Sequence, residues 1–221
     1  MTGAAALVVA VALAVSVAPP LRGRELDRLP TRKREVALTF DAGGEARGGW
    51  RLVTTLVRRK VPATFFLTGR WASENRQLAR AIGAHFPVGN HTYDHPYLTR
   101  LSSAAVAVEI RRGAQAIRRF ARRDPRPLFR FPYGDSDART LRIVNRLGYV
   151  SIRWTVDTLA WTGGQTVAGA VARVVAELQP GAIVLMHVGT SVDLRALPRV
   201  IDAIRHRGYR FTTLARLDHR S

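Results

Sequence analysis

Ala182-Ile183-Val184-Leu185-Met186-His187 is the stretch that decides the fold. Five apolar residues run without alternation and end on an imidazole. A strand with one wet face alternates polar and apolar. A strand buried on both faces does not, and it belongs to a parallel sheet covered by helices. Pro180-Gly181 precedes the run, and residues 194–207 follow with helical spacing up to Gly208.

The same unit recurs along the chain. Residues 36–40, 63–67, 86–88, 128–131, 149–155 and 209–213 read as further short strands. Between them, Trp50, Val53, Leu56 and Val57 have helical spacing. Ser73 reads as the cap of a helix carrying Leu78, Ala81 and Ile82, and Ser102 or Ser103 as the cap of a long helix. Residues 138–147 and 166–178 read as two more helices. Strands alternating with amphipathic helices predict an α/β fold. About seven strands predict a distorted parallel (β/α) barrel, closed or nearly so. No glycine-rich phosphate loop follows the first strand, which argues against a dinucleotide fold.

With 221 residues and 47% hydrophobic content, the chain can bury one large core. It has no cysteine. Disulfides, zinc ribbons and a thiol nucleophile are therefore excluded. The net charge is +19, and Lys33 and Lys60 are the only lysines. Such an arginine skew reads as biased composition, yet the surface it makes is still drawn to anionic polymers. An anionic cell wall or membrane surface is the expected partner. No motif supports specific nucleic-acid binding, and a monomer is expected.

Residues 4–18 form an unbroken apolar run, followed by Pro19, Pro20 and several arginines. The run is short for a membrane span and suits a signal-peptide core. Export is the reading, with cleavage and retention as an anchor both open and a buried helix as the alternative. Residues 1–34 are thus read as a targeting segment with a charged linker, and residues 35–221 as the domain.

The polar residues fall at one end of the predicted strands. Asp41 ends the first strand, His91 and His95 follow the third, and Arg130 sits at the fourth. Asp157 and Trp161 follow the fifth, and His187 ends the sixth. In a parallel barrel these C-terminal ends share one mouth, where active sites lie. Taken singly, each has a plainer reading: Asp41 as a helix cap, His187 as a core histidine, Arg130 as a surface arginine, Trp161 as core. Their joint placement favours a site. In Gly89-Asn90-His91-Thr92-Tyr93-Asp94-His95-Pro96 the two histidines lie four apart. On one helical turn they would share a face and could close on one metal ion. A pair of surface histidines in a loop is the alternative. Buried Arg130 would need a carboxylate, and Asp41 is the obvious partner.

With these residues assembled, the chain resembles the polysaccharide deacetylases of the NodB-homology class, carbohydrate esterase family 4. The matching stretches are Thr39-Phe40-Asp41, His91 to His95, Arg130-Phe131-Pro132-Tyr133-Gly134, Trp154-Thr155-Val156-Asp157 through Trp161, and Leu185-Met186-His187. The resemblance implies a metal-dependent hydrolase that removes acetyl groups from an N-acetylated polysaccharide, peptidoglycan or a chitin-like oligosaccharide. It implies Asp41 as general base and His187 as general acid. His91 and His95 would be ligands of a divalent metal, zinc being the expected one. Arg130 would orient Asp41. The Tyr133 N–H would face the oxyanion, with Pro132 and Trp161 beside the substrate.

Two departures from that pattern matter. Ala42 stands where the family usually has an aspartate as third metal ligand, with Glu45 and Asp94 as distant candidates to replace it. Ala160 stands where an aspartate often tunes the catalytic histidine, and Asp157 is expected to take that role. A metal-free glycan-binding protein on the same barrel is the alternative function.

Overall fold

A computed structural model describes residues 23–219. Among these residues, nine strands form one sheet. In chain order they are β1 (Glu25–Leu26), β2 (Glu35–Ala42), β3 (Thr64–Leu67), β4 (Val88–Asn90), β5 (Leu128–Phe129), β6 (Val150–Ile152), β7 (Val156–Asp157), β8 (Ile183–His187) and β9 (Arg210–Thr212). The spatial order is β1-β6-β5-β4-β3-β2-β8-β7, with β9 also paired to β2, and every strand pair is parallel. Helices α1 (Gly49–Arg58), α2 (Gly69–Glu74), α3 (Arg76–His85), α4 (Ser103–Phe120), α5 (Ala138–Arg146), α6 (Val167–Ala176) and α7 (Ser191–His206) connect them. The sheet curls into a distorted (β/α) barrel.

Strand β2 shows why the mouth is polar. Its even positions, Val36, Leu38, Phe40 and Ala42, pack in the large core with residues of α1, α3 and α7. Its odd positions face inward. Ala37 joins Phe66, Leu128, Val150, Ile152 and Ile183 in a small interior cluster. Two residues on, Thr39 donates to the Val184 carbonyl at 2.8 Å, and two further on stands Asp41. The period-two alternation of a strand thus carries one face from hydrocarbon to carboxylate.

Several expectations need correction. The two strands beyond the expected seven are β1 and β7, the latter just past the predicted strand 149–155. That predicted strand stops at Ile152, where the carbonyls of Ile152 and Arg153 accept from the Arg130 guanidinium, at 3.2 and 3.0 Å. Residues 23–34 are not a free linker. Strand β1 pairs with β6, Leu29 is buried, and Arg28 bridges antiparallel to Ala182. This segment fills the gap between β6 and β8. The apolar run at residues 4–18 lies outside the described residues.

Trp50 and Val57 are exposed, and α1 buries Leu52, Val53 and Leu56 instead. Ser73 lies inside α2. The cap of that helix is Thr68, which accepts from the Trp71 N–H at 3.2 Å, and α3 starts afresh after Asn75. Ser102 is the cap of α4.

Candidate active site

Asp41, one residue before the end of β2, stands in direct register with His187, the last residue of β8. Arg130, just past β5, reaches Asp41. Its Nη1 donates to Asp41 Oδ1 at 2.7 Å and to Thr39 Oγ1 at 3.0 Å. The guanidinium is fully buried and lies over the Phe66 ring, 4.1 Å from its centre. Burial raises the Asp41 carboxyl, but Arg130, His91 and His187 outweigh it and hold the group below the ordinary aspartate value. Burial also works against charge on Arg130, with Asp41 opposing it. A guanidinium stays protonated in either case. Arg130 does not line the cleft; it braces Asp41 from behind.

His91 and His95 are not on a helix. They bracket a tight loop in which Thr92 and His95 have positive φ, 69° and 63°. Such conformations are costly for residues with a Cβ and persist only when their surroundings over-determine them. Here they do. Asn90 Oδ1 accepts from Thr92 N–H at 3.0 Å, and Thr92 Oγ1 from His95 N–H at 3.1 Å. The first N–H groups of α2, on Gly69 and Arg70, hold the Thr92 and Tyr93 carbonyls. Glu109 of α4 accepts from Tyr93 N–H at 3.1 Å and Asp94 N–H at 2.9 Å. The loop lies so close to α4 that a Cβ at Gly113 would come within 2.6 Å of the Thr92 carbonyl oxygen.

The loop brings the two rings together. His91 Nδ1 donates to the Arg130 carbonyl at 2.8 Å, which leaves its Nε2 as an acceptor. That Nε2 lies 3.1 Å from His95 Nε2 and 3.5 Å from Asp41 Oδ2. Burial lowers both histidines. Asp41 only partly offsets this at His91, and His95 falls to about 4 with His91 adding to the effect. Neutral rings with converging nitrogens are what a divalent ion needs. The pair therefore fits the expected metal as two of its ligands.

The third ligand is another matter. Ala42 points into the apolar core. Glu45 is 73% exposed and pairs with Arg47 at 3.7 Å. Asp94 is held by Arg70 Nε at 2.7 Å and lies 3.5 Å from Arg112. Neither replaces the missing aspartate. Among the described residues, no group of three His, Cys, Asp or Glu side chains forms a complete metal site.

His187 is held by a residue that sequence reasoning missed. Asp193, in the first turn of α7, is fully buried. Its Oδ2 accepts the His187 backbone N–H at 2.7 Å and the Thr190 hydroxyl at 3.0 Å. Oδ1 accepts the Thr158 hydroxyl at 2.8 Å. His187 Nδ1 lies 3.6 Å from Oδ2, an ionic contact longer than a hydrogen bond. Burial lowers the imidazole, but Asp193, Asp41 and Asp157 together raise it above its ordinary value.

Asp157 is not the contact partner expected for His187. It accepts Leu159 N–H at 2.8 Å and the Trp161 indole at 3.1 Å, so it acts on His187 only through space. The signal for Asp193 was present as Thr190-Ser191-Val192-Asp193, the T-x-x-D pattern of a helix start. Placing the helix start at Leu194 hid it.

These groups line a cleft of about 900 Å³. Tyr133, with φ 58°, stands on its wall, 4.5 Å from the His95 ring and stacked on Tyr97 at 4.1 Å. The turn's own hydrogen bonds come from the N–H groups of Gly134 and Asp135 and do not use that of Tyr133. Trp161, 62% exposed, and Trp154 complete the walls. Pro132, expected beside the substrate, is instead buried beneath the turn and does not reach the cleft.

The polysaccharide deacetylase family model matches residues 28–152. The peptidoglycan-N-acetylglucosamine deacetylase of Bacillus cereus is 31% identical over 194 residues, covering 84% of this chain and 68% of that protein. The chitooligosaccharide deacetylase of a Bradyrhizobium species is 33% identical over 199 residues, covering 83% and 90%. The crystal structure of BA3943 from Bacillus anthracis, a CE4 family pseudoenzyme, superposes with a TM-score of 0.83 at 31% identity, covering 89% of this chain and 69% of that one. A mutant of that protein has restored enzymatic activity. With a family model over more than half its length and relatives at this identity, the chain belongs to the polysaccharide deacetylases of the NodB-homology class, carbohydrate esterase family 4.

Proposed function

We propose that this chain is a metal-dependent deacetylase of an N-acetylated glycan, peptidoglycan or a chitin-like oligosaccharide. The observation that carries the proposal is the register pair Asp41 and His187, facing the converged His91 and His95 across one cleft. His91 and His95 would hold the ion, zinc being the best match to two imidazoles. When bound, it supplies a lowered pKa to water and polarises the acetyl carbonyl.

The chain's own residues do the rest. Arg130 occupies Asp41 Oδ1 and keeps the carboxylate ionised, so Oδ2 is left to take a proton from the attacking water. The Tyr133 N–H, which the turn's own hydrogen bonds do not use, would serve the developing oxyanion, where one donor contributes about 3 kcal/mol. His187, raised by its carboxylate neighbours, carries the proton that the leaving amine needs. Tyr133, Trp154 and Trp161 offer aromatic walls to sugar rings.

The net charge of +19 suits an anionic wall or membrane surface, and the apolar run at residues 4–18 suits export. Among the described residues no helix is long and apolar enough to cross a membrane.

The second reading is a metal-free glycan-binding protein. Ala42 in the core, with no acid in its place, favours it, as does the similarity to a pseudoenzyme. Acetate release from N-acetylglucosamine oligomers and from peptidoglycan, with zinc and with chelator, separates the two. Zinc-dependent release abolished by chelator supports the deacetylase. Glycan binding without release under either condition supports the binding protein.

A further inference from the structure

We propose that Asp193 is the positioning residue of His187, taking the place that Ala160 vacates. The two carboxylates a sequence reader would consider are both committed elsewhere: Asp41 to Arg130, and Asp157 to Leu159 and Trp161. Asp193 approaches His187 from beneath, on α7 rather than on the loop after β7. It grips the residue at two points. Oδ2 takes the backbone N–H at 2.7 Å and lies 3.6 Å from Nδ1.

His187 Nδ1 is sealed from solvent and makes no hydrogen bond. Its nearest charged neighbour is therefore the Asp193 carboxylate, and the cleft is left to Nε2. The carboxylate is itself fixed by Thr158 at 2.8 Å and Thr190 at 3.0 Å. Elsewhere around the ring stand Asp41 on β2, Asp157 on β7, and the lowered His91 and His95. Of these, Asp193 alone contacts the buried side of the imidazole.

The consequence is a defined proton position. A carboxylate at Nδ1 favours the ring with its hydrogen there, and stabilises the doubly protonated ring that can donate from Nε2. In Asp193→Asn the amide oxygen must stay against the His187 N–H, so its NH2 turns to Thr158 and the negative charge beside Nδ1 is lost. The doubly protonated ring then has no counter-charge on its buried side, and the proton at Nε2 is held less often. The loss therefore falls on leaving groups that need a proton.

This inference rests on the proposed role of His187 as acid, and the test separates the two. In Asp193→Asn, a ¹⁵N NMR titration of the His187 ring reports how firmly it holds its second proton, whatever the activity. The expected result is that the doubly protonated ring gives up its proton at lower pH than in wild type. With it, kcat on N-acetyl oligosaccharides should fall 10- to 100-fold at little change in KM, and kcat on an aryl acetate should fall less. An unchanged His187 titration, or an equal loss on both substrates explained by a lower Tm, overturns the proposal. A shifted titration in a protein whose wild type releases no acetate leaves the positioning intact and removes the deacetylase reading. Should Asp193→Asn fail to fold, Asp193→Ser removes the charge with a smaller polar side chain and carries the same readouts.

Discussion

Arg130 Nη1 lies 2.7 Å from Asp41 Oδ1, with the guanidinium fully buried behind a carboxylate that shows only its other edge to the cleft. The same residue's backbone carbonyl accepts a hydrogen bond from His91 Nδ1 at 2.8 Å. One residue therefore fixes the charge of the proposed base and the tautomer of a proposed metal ligand. Its guanidinium also takes the carbonyls of Ile152 and Arg153, where the predicted strand 149–155 stops.

Arg130→Met should destabilise the fold by about 3–5 kcal/mol, because it strands a buried carboxylate. Urea unfolding measures this. The Asp41 pair also sets an acid limit. A carboxyl lowered in the folded state adds stability above its unfolded value near 3.8, and loses it as pH falls through the folded value. Wild-type and Arg130→Met stabilities should therefore converge at low pH; a constant gap would mean that packing, not charge, is the loss.

His187 has the opposite sign. Its folded pKa is raised above 6.5, so its stabilising contribution is complete below that value and is lost as pH rises through the folded pKa. The stability gap between wild type and His187→Gln should be widest near pH 5 and shrink on the alkaline side. Thermal melts across pH 5–9 follow it. A gap independent of pH would show that the three carboxylates do not act on the ring.

Ala42→Asp should change both metal and fold. The residue sits in the apolar core at the end of β2. Without zinc the new carboxylate should lower Tm, as buried unpaired charge does. With zinc the loss should reverse, and calorimetry should show affinity raised at least about tenfold, the lower bound for an added ligand-shell group. Unchanged affinity would mean that the strand end does not turn this side chain toward His91 and His95.

Glu25→Ala tests whether residues 23–34 belong to the barrel. Glu25 accepts from Ser136 at 2.8 Å and from Ser151 at 2.9 Å, and sits 3.7 Å from Arg153. Removing it should cost about 1–3 kcal/mol in urea unfolding, the price of buried donors left unpaired. No loss would return residues 23–34 to the role of linker.

The apolar runs, their alternation with helical spacing, and the polar residue closing each run were legible in the sequence. They determined a parallel α/β barrel and the end at which a site would lie, because burial on two faces leaves a strand no polar position except its terminus. The tertiary structure alone decided the rest. The fold of the His91–His95 loop depends on Gly69, Glu109 and Gly113, residues on two helices that no local pattern connects to it. The carboxylate under His187 depends on where α7 begins: a shift of three residues, from Leu194 to Ser191, moves Asp193 from a connecting loop into a sealed contact. Spacing along a chain fixes which face a side chain takes, but which distant group meets it there is set by how helices settle on the sheet.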